Sequence, residues 1–506
     1  MQLLVLAGVA TFVAGPLGSG ASATASHVGS SGPTAGASSA ITPAPVSARV
    51  DVADRNHALP VPGSFLGIST EYWTIPIWAA HLPELRQVFS LIRQNGPVVL
   101  RIGGDSADRA IPSSGPEPPS WVFELTPAWL AQLRSIIRVL HVRLILDLNT
   151  VTATPTVVAG WARLADASLP PGSIVGFEIG NEPDIYNPLS FRASLGVTGA
   201  IPPRLTAKTY AEAFRSYDQA LDRVVPWVPL LGPALADPDQ NVNWIKTLLA
   251  GPHNGLVAIT AHRYPYSACA HFGPKVPTVA RVLSEAATAG IVATLRPALQ
   301  VAARAHLPLR LTEFNSVTCG GTSGVSNTFA TALWAPDALM ELIHAGVDAA
   351  AVHVREHAIN RAFGFSNSGL VAAPLLYGLA TYARTLGTHP QLLPALVTAQ
   401  PGVDLKTWVV LDGDQLRVLL IDKSRRAANV TLTLPTTGPA TVQRLLAPSA
   451  TATTGVTLAG QTLDAQGLWS GPLVQTTVAP RAGRYTVSVP GISAAIVTAT
   501  VRPGTT

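Results

Sequence analysis

From Ser47 onward the chain alternates between two textures of hydrophobic and polar positions. Short runs that are almost wholly apolar recur at Phe65–Ser69, Val98–Ile102, Leu144–Leu148, Ile174–Ile179, Val228–Gly232, Val257–Ala261, Leu309–Thr312 and Ala349–Val354. Amphipathic stretches with helical spacing lie between them: Pro83–Gln94, Thr126–Leu140, Pro155–Ala167, Ala207–Val225, Val242–Leu249, a long Val276–Ala305, Phe329–Ala345 and Pro374–Leu386. Runs without polar alternation predict strands buried on both faces, as in a parallel sheet. Eight β/α units over residues 63–386 predict a (β/α)8 TIM barrel. A doubly wound sheet would place a glycine-rich phosphate fingerprint after its first strand, and only the pair Gly103-Gly104 occurs, after the second. Beyond residue 387 the helical period disappears. Short, Thr-rich, β-branched runs such as Trp408–Leu411 and Leu416–Ile421 predict a C-terminal antiparallel β-sandwich over 387–506. Residues 47–62 supply a strand expected to join that domain.

The N-terminus reads differently. Leu3–Val13 is apolar, and Ala23-Thr24-Ala25 offers a small-x-small cleavage pattern, so residues 1–25 are expected to be a secretion signal, without the usual basic start. Residues 26–46, rich in Ala, Ser, Gly, Thr and Pro, read as a flexible linker. No later stretch resembles a membrane span, and a secreted monomer with no stable membrane insertion is expected.

Composition narrows the function classes. Hydrophobic residues make up 47% and charged residues 12%, which excludes intrinsic disorder. The net charge of +5 comes with only five lysines, and the arginines are scattered, so no nucleic-acid tract is present. The two cysteines, Cys269 and Cys319, fall a few residues after strands six and seven. Those neighbouring loops predict a disulfide between them in an exported protein. No pattern for a metal or cofactor occurs.

The scarce charge gathers at strand C-termini, the face where barrels of this kind build their sites. Strand one ends in Glu71, strand two in Arg101 and Asp105, strand three in Asp147 and Asn149. Strand four gives Glu178, Asn181 and Glu182; strand six His262 and Tyr264; strand seven Glu313; strand eight His353, Arg355 and Glu356. Two apolar strands, four and seven, thus deliver Glu182 and Glu313 to one mouth. Two carboxyl groups converging on one bond are what glycoside hydrolysis requires: one protonates the leaving oxygen and the other attacks the anomeric carbon. Strands four and seven are expected on opposite sides of the ring. Arg101 is expected to pair with a neighbouring carboxylate.

Asn181-Glu182 and Glu313 resemble the clan of (β/α)8 retaining glycosidases. Phe65–Tyr72, Leu100–Ser106, Asn181-Glu182-Pro183 and His262–Pro265 narrow the resemblance to glycoside hydrolase family 79, the β-glucuronidase and heparanase family, over residues 48 to 506. The resemblance implies Glu182 as acid/base and Glu313 as nucleophile. It implies that Asn181 binds the sugar 2-hydroxyl, that Tyr264 hydrogen-bonds the nucleophile, and that Glu71 and Asp105 hold sugar hydroxyls. Val352–His357 departs from the family's pattern. His353 or Arg355 could receive a glucuronate carboxylate, or Arg355 could form a rim salt bridge with Glu356. The expected substrate is a terminal β-D-glucuronide. A neutral xyloside or glucoside, or recognition by a non-catalytic barrel, are the alternatives.

Overall fold

The computed structural model describes residues 46–52, 57–112, 118–198, 200–436 and 438–501. The proposed signal and nearly all of the linker lie outside the described residues.

Eight parallel strands close into a barrel: β1 (Leu66–Glu71), β2 (Val99–Gly103), β3 (Arg143–Leu148), β4 (Ile174–Ile179), β5 (Leu230–Leu235), β6 (Leu256–Arg263), β7 (Leu309–Phe314) and β8 (Ala349–His353). Each pairs with its sequence neighbour, and β8 returns to β1 with Ala350 opposite Leu66. Every residue of β1 and β5 is buried, as the unbroken apolar runs require. The outer ring comprises α1 (Leu82–Ile92), α2 (Pro127–Leu140), α3 (Pro155–Ser168), α4 (Ala207–Asp222), α5 (Val242–Leu249), α6 (Ala289–Arg304), α7 (Phe329–His344) and α8 (Pro374–Leu386).

Local chemistry sets the helix starts. Thr126 and Thr154 each accept a hydrogen bond from a first-turn backbone N–H and are followed by proline, whose missing N–H costs nothing there. The expected long helix Val276–Ala305 is broken instead into Val279–Val282, a 3-10 turn Glu285–Ala287 and α6. Trp334 donates its indole N–H to the Ala287 carbonyl at 2.7 Å, and Thr288 leaves the helical region at φ −123°, ψ −84°. A tertiary hydrogen bond overrides a period that the sequence sustains. Among the described residues Glu285–Arg304 is also the one helical stretch long and apolar enough, by length and composition, to cross a membrane. It serves as an outer-ring helix against β6 and β7.

The C-terminal region forms two facing sheets. Val46–Val52 enters the smaller one, antiparallel to Ala395–Ala399 and parallel to Ala428–Thr433. Leu59–Pro60 pairs with Pro390–Leu393 at the edge of the larger sheet. Val409, Val418, Leu420, Val430, Tyr485 and Val497 fill the space between. Two lysines tie this domain to the barrel: Lys423 reaches buried Asp337 at 2.6 Å, and Lys406 reaches Glu341 at 2.7 Å and Glu285 at 2.9 Å.

Candidate active site

The barrel mouth is organised by Arg101, which is fully buried at the upper end of β2. Its guanidinium donates to Glu178 at 2.8 Å, Asp147 at 2.8 Å and Glu313 at 2.9 Å. It also reaches Asn181 Oδ1 at 3.0 Å. A planar fork of five donors suits this divergent set, and a lysine would not span it. Its carboxylates raise its proton affinity further against the opposing effect of burial, so it is a fixed cation. Gly103 and Gly104 make the room. A side chain at 103 would lie 2.5 Å from the guanidinium carbon, and one at 104 would lie 2.6 Å from Glu71. Gly104 also takes φ +69°, which favours glycine.

Glu313 ends β7. Tyr264 donates to its Oε1 at 2.8 Å and Arg101 holds Oε2. Burial alone would raise this carboxyl, but His353, His262, Arg101 and the Tyr264 hydrogen bond outweigh it and bring it down to about 2. Glu313 is therefore ionised at neutral pH.

Glu182 lies just beyond β4 and adopts φ +45°, an uncommon conformation for a residue with a side chain. The Asn181-Glu182 turn is anchored by the Glu182 N–H, which donates to the Ala234 carbonyl on β5. The ring of His262 contacts Glu182 Oε1 through Nδ1 at 2.9 Å. Arg101 faces the other ring nitrogen at 3.4 Å as a donor, so the ring proton belongs on Nδ1 and points to Glu182. Burial raises the Glu182 carboxyl, with the negative Glu313 and Asp105 adding to it and His262 opposing.

Glu182, His262 and Glu313 bring ligand atoms within 4.8 Å of one another. This crowding would fit a metal ion, but protein donors already serve both carboxyl groups. The two glutamates are close enough for attack and protonation at one bond. They are three positions apart around the ring, with β5 and β6 between, and not diametrically opposed.

The remaining predicted residues spread around the same mouth. Glu71 is buried, with Oε2 accepting from the Ser106 N–H at 2.9 Å. Burial, then the Asp105 charge, raises it to about 8. Asp105 is 67% exposed and stands 3.6 Å from Arg355. Arg355 thus turns to Asp105, and among the described residues it forms no ion pair with Glu356. His353 is buried between Glu71 and Glu313, 3.7 Å and 3.4 Å away. Cys269 and Cys319 are bonded and tie the loops after β6 and β7 together. The reading of the residues assigned no role to His262, although its two-residue spacing from Tyr264 in extended chain would place both side chains on one face.

Residues 405–496 match the family model described as the glycosyl hydrolase family 79 C-terminal beta domain. No curated protein matches the sequence. Among solved structures, a 4-O-α-L-rhamnosyl-β-D-glucuronidase from Fusarium oxysporum, in complex with Rha-GlcA, is similar with a TM-score of 0.71 at 18% identity, covering 89% of this chain and 100% of that one. A family 51 α-L-arabinofuranosidase from Bifidobacterium longum is similar with a TM-score of 0.65 at 15% identity, covering 90% and 99%. A family 44 endoglucanase from Clostridium thermocellum is similar with a TM-score of 0.60 at 12% identity, covering 90% and 99%. The structural likenesses give the fold, a TIM barrel with a β-sandwich. The match to glycoside hydrolase family 79 covers the C-terminal β domain alone.

Proposed function

We propose that this protein is a retaining β-glycosidase acting on terminal β-D-glucuronides. The observation that carries the reading is the pair Glu182 and Glu313, with oxygens within 4.8 Å and opposite proton affinities. The spacing fits the short carboxyl separation of retaining enzymes, about 5 to 5.5 Å. In the first step ionised Glu313 attacks the anomeric carbon and an ester bond forms. The bond to the aglycone breaks, and the Glu182 proton passes to the leaving oxygen. In the second step water adds to that carbon, Glu182 takes its proton, and the ester electrons return to Glu313. Tyr264 and Arg101 hold the nucleophile in line throughout. The His262 hydrogen bond strengthens when Glu182 ionises, which favours the base form after the aglycone departs.

Glucuronide preference is supported by Arg355, a cation at the mouth beside the Gly320 turn. A substrate carboxylate would take over its donors from Asp105. If Asp105 keeps them, Arg355 has no donor to offer a substrate carboxylate, and a neutral xyloside or glucoside is the second reading. Aryl β-glucuronide, β-xyloside and β-glucoside assayed together separate these. Turnover of the glucuronide, abolished in Glu313→Gln, supports the proposal. Preference for a neutral sugar supports the second reading, and tight binding without turnover of any points to a recognition protein. Secretion is part of the proposal, and the Cys269–Cys319 bond suits an oxidising compartment.

A further inference from the structure

The turn that presents Glu182 is gripped at two points. The Glu182 N–H donates to the Ala234 carbonyl at 3.2 Å. Two residues further on, the half-buried carboxylate of Asp184 accepts three hydrogen bonds from the loop after β5. Its Oδ1 takes the Ala236 N–H at 3.0 Å. Its Oδ2 takes the Asp237 N–H at 3.0 Å and the Asn241 side-chain amide at 2.9 Å. That loop is itself fixed to the frame. The Ala234 N–H donates to Thr260 Oγ1 on β6 at 3.0 Å. Arg263, the last residue of β6, reaches Asp237 at 3.2 Å and Asp239 at 3.5 Å. Asn241 immediately precedes α5, whose Trp244, Ile245 and Leu248 are buried.

We propose that Asp184 is a positioning residue for Glu182: its carboxylate fastens the turn after β4 to the loop after β5 and so fixes where the Glu182 side chain stands. This rests on the reading of Glu182 as the acid/base. Glu182 takes φ +45°, a conformation that persists in a residue with a side chain where its surroundings over-determine it. One backbone hydrogen bond would leave the turn a hinge. The three bonds to Asp184 remove that freedom, and hydrogen bonds to a charged acceptor are the stronger kind. The His262 ring that meets Glu182 Oε1 comes from β6 as well, so the turn, its loop and the ring share one frame. Placement matters because an acid must stand within hydrogen-bond reach of the leaving oxygen, and a small misplacement costs rate. Glu313 is held by other residues, Tyr264 and Arg101. A loosened Asp184 contact therefore impairs protonation of the leaving group and spares the attack.

The test is kcat/KM, which reports the first chemical step, over aryl glycosides of graded leaving-group ability, for Asp184→Ala, Asp184→Asn and Glu182→Ala/Asp184→Ala. Poor leaving groups need protonation and activated ones do not. Asp184→Ala should lose about tenfold or more on the poorest leaving group, a part of the roughly 10²- to 10⁴-fold that general acid catalysis supplies, and far less on the most activated one. Asp184→Asn, which keeps one acceptor oxygen, should recover part of the loss. In the Glu182→Ala background, Asp184→Ala should add nothing to the dependence on leaving group, since two groups that act as a unit are not additive. A loss equal on all leaving groups, as a merely structural role would give, or a dependence that grows further in the double variant, overturns the inference. Asn241→Ala removes a single bond and carries the same comparison if Asp184→Ala does not fold: a smaller loss biased toward poor leaving groups supports the inference, and an unbiased one overturns it. Glu182→Ala is assayed alongside. Equal slowing of both substrate classes there would remove the acid/base reading itself, whereas a selective Glu182→Ala with an unselective Asp184→Ala removes only the role of Asp184.

Discussion

The phenol of Tyr264 donates to Oε1 of Glu313 at 2.8 Å, so the carboxylate proposed as nucleophile is held from the end of the neighbouring strand. Burial, then the charge of Glu313, pushes the phenol well above its ordinary range, so it stays a donor at every working pH. A hydrogen bond to a charged group contributes about 1.5 to 3 kcal/mol. Tyr264→Phe should therefore fold normally and lose about 10- to 100-fold in kcat/KM, with KM changing less than kcat. Steady-state kinetics of the variant checks this; an unchanged kcat would contradict it.

In the proposed mechanism the working form has Glu313 ionised and Glu182 protonated. Glu313 is depressed to about 2, so the acidic limb should lie well below the ordinary carboxylate range. Glu182 is raised by burial and by Glu313, so the alkaline limb should lie above that range. The two limbs belong to a coupled pair, and both should move when either glutamate is replaced. Glu182→Ala should slow substrates with poor leaving groups far more than activated aryl glycosides, and azide should restore turnover of the latter. Equal slowing of both, with no azide rescue, would remove Glu182 from the acid/base role.

Much of this was legible in the sequence because a barrel strand buried on both faces must be apolar, so any charge at its end stands out. Glu182, Glu313 and Glu71 came from that contrast, and the place of Tyr264 beside Glu313 from the family resemblance. The break at Thr288 was not legible, since residues 276–305 keep a helical period and the interruption comes from Trp334, distant in sequence. The partner of Arg355 was missed for a related reason. Glu356 lies in the turn that follows β8 and is buried there, whereas Asp105 arrives from another strand end. His353 carries the same lesson: its sequence neighbours reveal nothing of the carboxyl groups that β1 and β7 bring to its two edges.

Arg101 should dominate stability at the site. Removing one partner of a buried ion cluster costs about 3 to 5 kcal/mol because the remaining charges lose their counter-ion. Arg101→Met leaves Asp147, Glu178 and Glu313 without it. Its thermal midpoint should fall more than that of Tyr264→Phe, and the loss should shrink at low pH as the carboxyl groups take up protons. The sign follows from Glu313: a depressed carboxyl contributes stability above its unfolded value near 4.5, and that contribution disappears as pH falls toward 2. Thermal melts at two pH values would show the trend, and equal destabilisation at both would contradict it.

The disulfide closes a span of 50 residues between two loops at the mouth, with Cα atoms 5.9 Å apart. Cys269→Ser/Cys319→Ser should cost about 2 to 5 kcal/mol of stability. Because one loop follows Tyr264 and the other follows Glu313, kcat should fall as well. Denatured, unreduced protein should show no free thiol. Two free thiols, or a double variant as stable as wild type, would remove the bond or its structural weight.

A 2-deoxy-2-fluoro glycosyl fluoride of the sugar the enzyme turns over would trap the covalent intermediate, because the fluorine slows both steps and the good leaving group spares the first. Digestion and mass spectrometry then locate the ester. The label should sit on Glu313, in the peptide containing Leu311-Thr312-Glu313-Phe314, and should be released on transfer to an acceptor. A label on any other residue, or time-dependent turnover with no covalent adduct and an inverted product, would contradict a double displacement through Glu313.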